Sequence, residues 1–188
     1  MLSPLAFARA ARVFSGATAC LLLSFGTVGL KAETALLENG GFEDGLAHWH
    51  SRDEMSSAVA EAARTGKLGL RVVDEDEGLG SSLNSSEIFV NEGDVVEVSF
   101  YANTDDTFLG VYLWPVDVDG RLIKASERGD LVSVRIEPTA GWEQFTFQQT
   151  MPEGVSAVSI WVHSWSSATG TASLDDFKIT VTPATPAE

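Results

Sequence analysis

Cysteine is nearly absent from this sequence: Cys20 is the single thiol in 188 residues. One thiol cannot make an intramolecular disulfide, so no cross-linked framework holds this chain together. Basic residues are also scarce, with 12 Lys and Arg against 27 Asp and Glu and a net charge of −15. Such a body repels polyanions, which excludes nucleic acid as a natural partner and disfavours acidic polysaccharides unless a cation bridges them. Histidine is limited to three residues. His48 and His50 share a strand face, but without cysteine a complete zinc set requires acids from elsewhere.

Long apolar runs are confined to the start. Residues 1–32 carry Arg9, Arg12 and Lys31 and no acid, and residues 17–30 are almost free of polar side chains. A basic segment, an apolar stretch and a small-residue exit describe a secretory signal peptide, with cleavage expected after Ala32. Gly16, Ser24, Gly26 and Gly29 weaken the run that a spanning helix needs. The most apolar part follows Cys20, so no lipoprotein acceptor pattern precedes it. The expectation is a secreted protein, extracellular or periplasmic, with no membrane attachment after cleavage. Three of the 12 basic residues fall in this leader, which leaves 9 against 27 acids and a net charge of −18. The remaining chain is long enough for one sizeable core. It divides into a domain over residues 33–182 and a short proline-broken tail, TPATPAE, whose last six residues are 183–188.

From Ala35 onward the pattern is strand, turn, strand. Residues 58–63, 67–73, 95–102, 108–118, 131–136, 143–151, 155–165 and 174–181 alternate or run apolar, bounded by Gly, Asn, Asp and Ser. Many short strands without intervening helices predict an all-β sandwich or barrel. Residues 55–63 are alanine-rich and also compatible with a helix. The acidic loops DEDEG, residues 74–78, and DVDG, residues 117–120, lack the full ligand series of an EF-hand. Asp119-Gly120 instead reads as a hairpin turn.

The organising stretch is LLENGGFEDGLAHW, residues 36–49, which announces a strand, a glycine turn, an acid and an indole. Its partner is SLDDFKITV, residues 173–181, where paired aspartates interrupt an apolar alternation. A carboxylate in such a place needs a compensating cation or hydrogen-bond donor. Asn39, Gly40 and Gly41 permit positive φ and close backbone approach, so carbonyl oxygens can turn inward just before Glu43. Carbonyls and carboxylates together are the oxygen set that calcium prefers. Glu43 and Asp175 are therefore candidates to share one cation, with a plain turn and a solvated acid as the open alternative.

Taken in order, NGGFEDG with Trp49, then GKLGLRV, VVEVSFYAN, GWEQFTFQQT and LDDFKI resemble the carbohydrate-binding modules of families four, nine and twenty-two. The resemblance spans nearly all of the chain after its first thirty-odd residues. It implies a galactose-binding-like β-jelly roll, a sugar-binding face lined by aromatics and a structural calcium ion. Carried onto this chain, the calcium ligands are the Gly41 carbonyl, the Glu43 carboxylate, the Lys67 carbonyl and the Asp175 carboxylate. Arg64 stands where some members supply a further acidic ligand.

The aromatic pattern supports a binding face independently. Side chains alternate along a strand, so Val158, Ile160 and Val162 leave Ser159, Trp161, His163 and Trp165 on the other side. Val111 and Leu113 oppose Tyr112 and Trp114 in the same way. Clustered exposed rings call for a ligand, and the C–H face of a sugar packs on a ring while its hydroxyls take hydrogen bonds from the rim. His163, Asn84 and Gln148 are the candidate rim groups. The alternative places these rings in the core. Trp49, Trp142, Phe100, Phe145 and Phe147 are expected to be core, and Tyr101 to face away from the site.

A glycosidase needs two carboxylates across a cleft, and no acid sits among the apolar strands other than the presumptive calcium ligands. The expectation is therefore a non-catalytic module for neutral polysaccharide or oligosaccharide of β-glucan or xylan type. It would act alone or beside a separately encoded glycoside hydrolase. The competing reading is an extracellular structural or adhesive jelly roll that binds no sugar.

Overall fold

The computed structural model describes residues 37–123, 131 and 133–185. The expected leader, residues 1–32, and the end of the expected tail lie outside these residues. Among the described residues eleven strands run in chain order: β1 (Trp49–Ser51), β2 (Ser56–Val59), β3 (Gly69–Asp74), β4 (Ser82–Ser85), β5 (Ile88–Phe89), β6 (Val95–Thr104), β7 (Leu109–Val116), β8 (Ser133–Ile136), β9 (Glu143–Thr150), β10 (Ala157–Ser164) and β11 (Gly170–Thr182). A single 3₁₀ turn, Ala60–Ala62, is the one helical element among the described residues.

The strands form two antiparallel sheets. One has the order β1-β4-β10-β7-β8, with β5 also pairing β10, and the other the order β2-β3-β11-β6-β9. Their inner faces meet in one core. Val96, Val98, Phe100 and Ala102 of β6, Leu174 and Ile179 of β11, Leu109, Val111 and Leu113 of β7, and Val158, Ile160 and Val162 of β10 are all essentially buried. Each such valine, leucine, isoleucine or phenylalanine contributes about 1.5–3 kcal/mol by leaving water, and together they hold the sandwich without a disulfide.

Several elements differ from expectation. The stretch 58–63 divides into the end of β2 and the 3₁₀ turn, because the alanine run suits neither a long strand nor a full helix. Residues 37–48 form successive turns rather than a strand. Asn39 and Phe42 adopt φ of 54° and 56°, and the Asn39 side chain donates to the carbonyls of Gly45 and Ala47 while accepting from Asp44 N–H. This turn seats Phe42, fully buried, against Trp49 and Phe177 with ring centroids 4.9 and 6.0 Å away. Trp142 is half-buried rather than core, since it precedes edge strand β9 instead of lying between the sheets. Strands β1 and β4 are too short and too polar, and β5 too short, to show in an apolar pattern.

The first turn is clipped to the last strand. Phe177 N–H donates to the Gly40 carbonyl at 2.9 Å. A Cβ at Gly40 would stand 2.2 Å from the Phe177 carbonyl oxygen, so only glycine permits this approach. The register of β11 shifts between Asp175 and Lys178, and Asp176 takes φ of 56° at that irregularity. The interrupted alternation of LDDF is thus a bulge.

Candidate functional site

The outer face of the sheet containing β7 and β10 carries the aromatic side chains. Tyr112 and Trp114 on β7 alternate with inward Val111 and Leu113. Trp161 and His163 on β10 alternate with inward Ile160 and Val162, and Trp165 follows directly. Antiparallel pairing places Trp161 opposite Tyr112. The rings lean on one another: Trp114 to Trp161 is 5.1 Å between centroids, Trp161 to Tyr112 4.8 Å and Tyr112 to Trp165 6.3 Å. All are half-buried, so each keeps ring surface open to solvent.

Local contacts fix the rings. Trp161 donates its Nε1–H to Ser82 Oγ at 2.9 Å, and His163 stacks on it at 4.5 Å with an interplanar angle of 19°. His163 Nδ1 meets the Ser81 carbonyl, which only accepts, so Nδ1 carries the proton and Nε2 is left for other partners. The Tyr112 ring lies over Gly110, where a Cβ would come within 2.3 Å of Cε2 and 2.7 Å of the hydroxyl oxygen. The mid-strand glycine thus provides a flat bed for the tyrosine. Burial pushes the Tyr112 hydroxyl pKa up, opposed by the Arg135 charge.

One row crosses the sheet from His50 on β1 through Asn84 on β4 and Trp161 on β10 to Tyr112 on β7. Asn84 therefore stands beside the rings. Gln148 does not: it lies opposite Glu97 on β9, exposed on the other sheet, and is corrected out of the rim. Its parity is right for an outward residue, but strand parity does not say which sheet a strand joins. Phe108, absent from the expected site, joins the aromatic face. It shares the even parity of Tyr112 and Trp114, and its ring lies 5.4 Å from Trp165 with the Arg135 guanidinium 3.9 Å above it. Tyr101 lies on β6, next to β11 in the other sheet, with Arg64 3.4 Å over its ring.

The acids assigned to a cation gather at the clip. Asp175 is fully buried; its Oδ2 accepts the N–H groups of Arg64 and Thr65 at 2.8 and 3.0 Å, and its Oδ1 that of Asp176 at 2.7 Å. Burial raises its pKa against the pull of these donors. Glu43 Oε1 accepts from Lys67 and Leu68 N–H at 2.8 and 3.1 Å, which lower its pKa. One loop, residues 64–68, thus holds both carboxylates through its amides.

The donor set fits a hard cation in part. Asp175 Oδ1 and Glu43 Oε2 retain free lone pairs, since a carboxylate offers about four acceptor sites, and a Cβ at Gly41 would stand 3.8 Å from Asp175 Oδ1. Lys67 is a correction. Its peptide with Leu68 is trans, so its carbonyl is antiparallel to the N–H aimed at Glu43 and points away from that carboxylate. Arg64 turns to Asp176, 2.8 Å away. Among the described residues no cluster of three or more His, Cys, Asp or Glu is placed to hold a metal; His48 pairs instead with Glu38 at 2.8 Å.

Comparison with known proteins gives one family. Residues 34–169 match the family model described as carbohydrate binding domain. No curated protein sequence matches the chain. Among solved structures, a family 16 carbohydrate binding module aligns at a TM-score of 0.60 and 17% identity, covering 77% of this chain and 98% of its own. The tandem family 22 modules of Paenibacillus barcinonensis Xyn10C align at 0.59 and 20%, covering 86% and 48%. A family 4 module aligns at 0.58 and 16%, covering 78% and 99%. At these identities the structures show the jelly-roll sandwich fold.

Proposed function

The chain belongs to the carbohydrate binding domain family, and from that premise we propose that it is a secreted, non-catalytic module for a neutral polysaccharide of β-glucan or xylan type. The observation that carries this reading is the contiguous set Trp114, Trp161, Tyr112 and Trp165 on one outer sheet face, none of them fully buried. The open part of these side chains offers a sugar a C–H packing surface, and Asn84 and the free Nε2 of His163 supply hydrogen bonds beside it. The acidic body, −15 over the whole chain, favours neutral glycans over polyanions. Secretion rests on the composition of residues 1–32. A glycoside hydrolase is the natural enzymatic companion for a module of this kind.

The proposal extends to a structural calcium ion held by Glu43 Oε2, Asp175 Oδ1 and the Gly41 carbonyl, with water in place of Lys67. When bound, such an ion adds positive charge between the first turn and the last strand. The test of the sugar reading is a glycan array with the wild-type protein. Retention on neutral β-glucans or xylans supports it; indifference to every neutral glycan shifts the assignment to a structural or adhesive jelly roll.

A further inference from the structure

A groove of about 510 Å³ opens beside the rings at the Trp114 end. His50 and Arg52 from the edge-strand side, Asn84 and Glu87, and Trp114 and Ser159 from β7 and β10 are among the residues that line it. Its position follows from strand order. The rings follow β7 and β10, whereas the groove spreads toward β4 and β1, so it lies to the side of the aromatic stripe. Ser159 is the cross-strand partner of Trp114, and its small side chain leaves room that an indole, as at Trp161 two residues on, would fill.

The chemistry of the groove differs from that of the stripe. Arg52 and Glu87 are both exposed, and neither takes part in an ion pair among the described residues. A free guanidinium and a free carboxylate lining one hollow, with His50 and Asn84 between, present charged donors and acceptors. Sugar hydroxyls both donate and accept, and bonds to ionised partners are the stronger ones. The volume falls within the usual range of small-ligand sites and exceeds that of one sugar ring.

We propose that this groove is a side-branch subsite, taking a single neutral sugar that projects sideways from a main chain lying on the rings. The inference rests on the reading that those rings bind the main chain. Neutrality follows because Glu87 offsets Arg52 within the groove and the body as a whole is acidic.

The test is calorimetric titration of the wild-type protein and an Arg52→Ala/Glu87→Ala double variant with matched oligosaccharides. These carry β-1,4-glucan or β-1,4-xylan main chains, each linear, with single neutral xylosyl or arabinosyl branches, or with a glucuronosyl branch. Both substituted positions are exposed, so folding is not at issue. The wild type should bind the neutral-branched form about tenfold more tightly than the linear one, a difference of about 1.4 kcal/mol. The double variant should bind linear and branched forms alike, at the wild-type linear affinity. Equal wild-type affinity for linear and branched forms would overturn the branch subsite while leaving the ring reading intact. Tightest binding of the glucuronosyl form would overturn its neutrality. Failure to bind any member would overturn the ring reading, and this inference with it.

Discussion

Trp161 and Tyr112 face each other across the β7–β10 ladder with ring centroids 4.8 Å apart. The relationship depends on a third residue, Gly110, two positions before Tyr112 on β7, whose missing Cβ lets the tyrosine lie against the backbone. The binding face is therefore shaped partly by a residue that presents no side chain to a ligand.

Gly110→Ala should lift the Tyr112 ring from its bed, because the new methyl would occupy space within 2.3 Å of the ring. The flexible side chain gives way rather than the backbone, so denaturation should shift little while affinity for glycan falls. Parallel denaturant melts and binding titrations check this; a large loss of stability with unchanged affinity would show that Tyr112 does not contribute to binding.

Asp175→Asn should destabilise the protein at neutral pH. The amide cannot accept all three N–H bonds without turning its own NH₂ toward a donor, and an unsatisfied buried donor costs about 1–3 kcal/mol. Equilibrium urea unfolding measures the loss. A variant as stable as wild type would remove Asp175 from the clip.

The two clip carboxylates should respond to pH with opposite signs. Glu43 has a lowered pKa, with amide bonds from Lys67 and then Leu68 as the cause, so its stabilisation is present above its unfolded value and lost as pH falls through its folded one. Asp175 has a raised pKa, caused first by burial, so its contribution is fully present below its unfolded value and lost as pH rises through its folded one. Glu43→Gln should flatten the acid limb of the stability profile, and Asp175→Asn should remove a decline on the rising side. Thermal melts across the acidic range separate the two.

Calcium should raise the melting temperature if it occupies the clip. At a hundredfold excess over Kd a native-state ligand adds about 2.7 kcal/mol, a rise of about 5–10 °C for a domain of this size. Glu43→Gln should abolish the rise. A melt unchanged by both calcium and chelator would mean that the amides of residues 64–68 hold the clip unaided.

Much of this architecture was legible because strand periodicity reports burial directly. Val111, Leu113, Val158, Ile160 and Val162 mark the inner face, and their neighbours Tyr112, Trp114, Trp161 and His163 then fall outside. The clip of the first turn to the last strand was hinted at by the glycine turn and the broken alternation of LDDF, whereas the loop of residues 64–68 that bonds Glu43 and Asp175 separately was not. The position of Gln148 was not, because its outward parity is the same in either sheet and only the pairing of β9 with β6 decides it. The orientation of the Lys67 carbonyl depends on peptide planes that composition does not encode. His50 was read only as a possible metal ligand, and Arg52, just past the three-residue β1, carried no signal of its own.

The measurement that bears most directly on the central claim is glycan affinity of Trp161→Ala against wild type, read beside chemical denaturation of both. Trp161 is half-buried and touches Tyr112, Trp114 and His163, so its loss should remove the middle of the binding face. A fully buried indole would cost about 3–5 kcal/mol on truncation, and this half-buried one on the outer face should cost less. The wild type should be retained on neutral β-glucan or xylan, and the variant should lose that retention while still unfolding cooperatively near the wild-type midpoint. A variant that unfolds early, or one that binds as tightly as wild type, would contradict the central claim.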